Sequence, residues 1–110
     1  MTSWIEHHRL AEAAAEEAEA AHRAGGFEGA RAAFARAGRH EEDAFRAVEP
    51  SKTRTLSVIG VSAVSLYSRA ATPAHVTRLA SDVLETPGLH GFAGRQIRDM
   101  LDGTPMRRPG

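Results

Sequence analysis

The sequence predicts an all-α fold: antiparallel helical hairpins, about five helices in all, forming one domain over residues 1–103. Three observations carry this. From Thr53 to Glu85, apolar residues recur at spacings of three and four, the period of a helix face. Strong stop signals divide the chain at Gly25-Gly26, Glu49-Pro50-Ser51, Thr72-Pro73 and Thr86-Pro87-Gly88. Before the first stop, from Trp4 to Ala24, the composition is dominated by Ala and Glu, both good helix formers.

The first helix begins at Ser3, where Glu6 completes a capping box. Trp4, His8, Ala11, Ala15 and Ala18 fall on one thin face, and Gly25-Gly26 ends the helix, because Gly supplies the left-handed termination. The second helix runs from Phe27 to Val48 with Phe27, Ala30, Phe34, Ala37, Ala44, Phe45 and Val48 as its stripe. Gly38 within it marks a close crossing or a break. Ser51 is the expected cap of a third helix from Thr53 to Ala70, with Leu56, Ile59, Ala63, Leu66, Tyr67 and Ala70 on its apolar face. Val58-Ile59-Gly60-Val61 alone fits a buried strand, but the helical spacing on both sides decides for helix. Ser57, Ser62, Ser65 and Ser68 are expected to soften its opposite face. Thr72 caps a fourth helix that starts on Pro73 and carries Val76, Leu79, Ala80, Val83 and Leu84. A short fifth helix spans Phe92 to Leu101 with Gly103 as its C′ residue, and residues 104–110 are expected to be disordered.

The 110 residues contain no Cys, which excludes disulfides and thiolate chemistry. The charge balances at 14 basic and 14 acidic residues, which argues against a general nucleic-acid or membrane binder. The balance is bipolar: residues 1–50 hold ten acids against six Arg, and residues 51–110 hold eight bases against four acids. No apolar run is long enough to span a bilayer, and the polar start is unlike a signal peptide, so a cytoplasmic location is expected.

Gly25-x-Phe27-x-x-Ala30-x-x-x-Phe34-x-x-Ala37 resembles the second half of a tetratricopeptide repeat (TPR), and an offset of 46 residues gives Ala71, Pro73, Val76, Ala80 and Val83. The resemblance covers Glu6 to Glu85, as two degenerate repeats plus a capping helix. Ala14, Gly60 and Ala21 depart from the family's aromatic positions. What it implies is a groove lined by the first helix of each hairpin, presenting Glu12, Ala15, Glu19, His22 and Arg23, then Val58, Val61, Ser62, Ser65, Ser68 and Arg69. Arg23 and Arg69 would match across the repeats and grip a carboxylate or a peptide backbone. Ala15, Glu19 and Ser62 replace the Lys and Asn of the family's carboxylate clamp, so a chaperone tail is not the implied ligand. The expected function is a non-catalytic interaction module or accessory subunit binding a protein or peptide. Two repeats are fewer than the roughly three that stack stably alone, so a larger partner or homo-oligomerisation is expected to supply the missing neighbour.

Two other constellations bear on chemistry. Arg69 and His75 resemble the Arg-to-His motif of HEPN-type ribonucleases, with Ala70 where that family sets a polar residue; this implies a catalytic alternative. Glu19-x-x-His22 is half of a bundle di-iron motif without a second copy, and His7-His8 and His40-Glu41-Glu42-Asp43 lack ligand spacing, so no metal or other cofactor is expected. A self-associating structural bundle remains the third reading.

Overall fold

A computed structural model describes residues 3–103, which leaves the tail expected at 104–110 outside the described residues. Among the described residues there are five α-helices: α1 Trp4–Arg23, α2 Phe27–Ala47, α3 Thr53–Arg69, α4 Pro73–Leu84 and α5 Gly91–Asp102. No strand occurs among the described residues, so Val58 to Val61 is helical. Gly38 does not break α2. Tyr67 crosses there so closely that a Cβ at Gly38 would lie 2.8 Å from its ring.

Antiparallel α1–α2 and α3–α4 hairpins join through α2 and α3, and α5 packs on α3 with a smaller contact to α4. Cross-helix contacts fix the layering. Glu42 and Arg46 of α2 bond Arg78 and Asp82 of α4, so these two helices run parallel. Trp4 and His8 share a cavity with Val58 and Ile59, whereas Glu19 bonds Arg69, so α1 and α3 run parallel too. The molecule is a slab of 41 × 39 × 19 Å, two helix diameters thick.

Its main core joins Phe45 and Val48 of α2, Leu56, Ile59, Val64 and Tyr67 of α3, Leu79 and Val83 of α4, and Ile97 of α5. A smaller cluster of Ala18, Ala30, Ala33, Phe34 and Ala70 holds the far end, where the small side chains let α1 and α2 approach. The capping box is present: Glu6 N donates to Ser3 Oγ at 3.3 Å, and Ser3 N donates to Glu6 Oε1 at 3.1 Å.

The two hairpins share a backbone device. Both α1 and α3 end in a Schellman motif. Gly26 N donates to Ala21 O and Gly25 N to His22 O in the first; Thr72 N donates to Tyr67 O and Ala71 N to Ser68 O in the second. Gly25 (φ 85°) and Ala71 (φ 57°) occupy the same left-handed position, separated by the 46-residue offset of the sequence pattern.

Several local expectations are corrected. Lys52, not Ser51, caps α3, and Thr72 gives α4 no side-chain cap because its hydroxyl donates to Tyr67 O. Helix α5 starts at Gly91, one residue earlier than expected, and Gly103 is its cap with φ −81° rather than a left-handed C′ residue. On α1, Ala14 is buried and Ala15 only half-buried, because the contact face is centred on α2. Ser57 is fully buried: its hydroxyl donates to Thr53 O and accepts from His90 N, tying α3 to the start of α5. Phe27 lies outside the core at 54 % exposure.

Candidate functional site

Helix α3 has two unlike sides. Leu56, Ile59, Ala63 and Tyr67 face the core, leaving Val58, Ser68 and Arg69 exposed and Val61, Ser62 and Ser65 half-buried. On the neighbouring α1, Glu12, Glu19, His22 and Arg23 are exposed and Ala15 is half-buried. Every side chain expected to line a groove thus keeps solvent access. The structure bridges the two helices at one point, where Arg69 Nη1 donates to Glu19 Oε2 at 3.1 Å.

Cavities lie at both ends of this face. At the N-terminal end, Trp4, His8, Arg54, Thr55, Val58 and Ile59 line an open hollow of about 280 Å³. His8 is held by Glu41, which is 1 % exposed: Nδ1 lies 2.9 and 3.1 Å from the two carboxylate oxygens, while Nε2 faces Glu12 at 3.4 Å. Burying a carboxylate is costly without partners, so this imidazole fixes both the pairing of α1 with α2 and the cavity wall.

At the C-terminal end, His22, Phe27, Ala30, Arg31, Phe34, Arg69 and Ala71 line about 320 Å³. The Arg69 guanidinium sits 4.2 Å from the centroid of the buried Phe34 ring, a cation–π geometry that orients it together with Glu19. His22 meets the Phe27 ring edge-on at 5.0 Å. The two stacked arginines implied by the resemblance do not share this cavity, since Arg23 is exposed outside its lining. Phe27, Phe34 and Arg31 were not among the expected site residues; the two Phe read as core, and nothing in the spacing marks Arg31.

A polar network occupies the other layer. Glu42 accepts from Arg78 at 2.8 and 3.1 Å, from Arg46 at 2.9 Å and from the Tyr67 hydroxyl at 2.8 Å. Chiefly the Arg78 hydrogen bonds hold the Glu42 carboxyl down at about 2. Burial, then the bond to Glu42, pushes the Tyr67 hydroxyl up to about 12. His75 stacks on the Tyr67 ring at 4.8 Å and lies 3.3 Å from Arg78, whereas Arg69 bonds Glu19 and covers Phe34. The contacts of Arg69 and His75 are thus separate. Arg78, not Arg69, is the arginine beside that imidazole.

A third cavity of about 480 Å³ opens between the start of α4 and the end of α5, lined by Pro73, Val76, Met100 and Leu101 among others. Among the described residues no three His, Asp or Glu side chains are grouped to hold a metal ion, and no helix is long and apolar enough to cross a membrane.

No family model matches this sequence, and no curated protein or solved structure matches it either.

Proposed function

We propose that this protein is a non-catalytic interaction module, two TPR-like hairpins and a capping helix, that holds a protein or peptide partner along the α1/α3 face. The observation that carries the reading is the solvent-accessible row of Val58, Val61, Ser65, Ser68 and Arg69 beside Glu12, Glu19, His22 and Arg23, with a cavity at each end. On α3 the row runs from the apolar Val58 and Val61 to the polar Ser65, Ser68 and Arg69, and the α1 side is polar throughout. The shared Schellman motif at a 46-residue offset supports a repeat origin. The reading places the module in the cytoplasm, with no nucleic acid or membrane as partner.

Photo-crosslinking tests this in the native host. A benzophenone amino acid at Ser65 or Val58 is expected to give one discrete adduct, the same at both positions, that Asp43 on α2 does not give. Adducts equally at Asp43, or none at Ser65 and Val58, would sink the reading. A catalytic role would instead appear as RNA cleavage abolished by both Arg69→Ala and His75→Ala.

A further inference from the structure

We propose that the cavity at the C-terminal ends of α1 and α3 is a binding site for a small aromatic carboxylate. Its lining combines the nitrogen-bearing side chains of His22, Arg31 and Arg69 with the rings of Phe27 and Phe34, and contains no carboxylate. That pairing selects a ligand carrying a negative group on a flat apolar body. The volume of about 320 Å³ is at the small end of ligand sites, enough for a single ring with a short acidic arm.

The parts are set before any ligand arrives. Phe34 is 3 % exposed and forms a fixed floor, and the Arg69 guanidinium carbon lies over its ring at 4.2 Å. Glu19 takes one of the five guanidinium N–H donors and holds the group in place. Phe27 is 54 % exposed at the first position of α2, where folding gains little from a large ring. Its contact with the His22 edge keeps it at the rim, in position to cover one face of a bound ring. Ala71, the one non-glycine residue with positive φ among those described, contributes its methyl to the wall where the matching turn has Gly25. A ligand carboxylate would share or take over the Arg69 contact of Glu19, so Glu19 acts as an internal competitor. The site lies at one end of the proposed groove and shares His22 and Arg69 with it, but its phenylacetate binding is read without any partner present.

The test is an NMR titration of the full ¹⁵N-labelled chain with phenylacetate, set against phenylacetamide, which lacks the charge, and acetate, which lacks the ring. Phenylacetate is expected to shift the amides of Phe27 to Arg31 and of Ala70 and Ala71 saturably, with Kd of roughly 0.1–1 mM. The two controls are expected to bind at least about tenfold more weakly. Arg31→Gln and Arg69→Gln should each weaken phenylacetate by about tenfold, and Glu19→Gln should tighten it several-fold. These positions are exposed, so unchanged melting curves will show that the variants fold. No saturable shift up to about 10 mM, equal binding of phenylacetamide, or unchanged affinity in both arginine variants would each overturn the proposal.

Discussion

Glu42 shows how one side chain holds three helices together. It sits on α2 and accepts from Tyr67 of α3 and Arg78 of α4, with its side chain 15 % exposed. Hydrogen bonds to charged groups contribute more than neutral ones, so Glu42→Gln is expected to destabilise the fold by about 2 kcal/mol at pH 7. The pH dependence has a definite sign. The folded-state carboxyl is depressed from 4.5 to about 2, so its contribution is complete above the unfolded value and is lost as pH falls through that window. Urea unfolding of wild type and variant at pH 7 and pH 3 is expected to show the difference shrinking at the lower pH. A constant difference would mean that the network gains nothing from the charge. The raised Tyr67 hydroxyl acts oppositely: its contribution is present below pH 10 and is lost as pH rises toward about 12.

Among the elements, the ends of α1 and α3 are the informative comparison. The left-handed C′ position disfavours a Cβ, and only Gly avoids that cost. The first hairpin has Gly25 there and the second has Ala71. Ala71→Gly is therefore expected to stabilise the protein by about 1 kcal/mol, seen as a melting temperature about 4–8 °C higher. A lower melting temperature would show that the Ala71 methyl packs well enough to outweigh the strain. The close crossings follow a different rule. Gly38 and Gly60 are helical, and each admits a neighbour where a Cβ would meet it at 2.8 Å, Tyr67 in one case and Val83 in the other. Gly38 brings α3 close against α2, joining the hairpins, and Gly60 brings α4 close against α3 within the second hairpin.

At the scale of the whole molecule, the slab has a capped end and an open one. Helix α5 covers the α3–α4 hairpin through Ala93 and Ile97, both 0 % exposed. Ile97 belongs to the same core as Val64, Leu79 and Val83. Ile97→Ala is expected to cost about 3 kcal/mol as lost transfer energy plus a cavity. Guanidinium unfolding followed by circular dichroism checks this, and a loss below about 1 kcal/mol would make α5 an appendage rather than part of the cooperative unit. The opposite end leaves Leu10 and Ile5 of α1 exposed at 50 % and 44 %.

The sequence by itself determined the five helices and most of their ends, because the 3.6-residue period and the Gly and Pro stops act locally. It also placed the turns at Gly25 and Ala71, which close α1 and α3 with the same pair of backbone hydrogen bonds. Three things were decided only by tertiary structure. The burial of Ser57 and Glu41 depended on His90 and His8 arriving from distant elements, which no local pattern encodes. Phe27 left the core stripe because its place at the start of α2 puts it beyond the edge of the packed layer. Arg69 became the partner of Glu19 and Phe34 rather than of His75. Spacing along a chain sets which face a residue shares, whereas its partners are set by the crossing of helices that folding alone brings together.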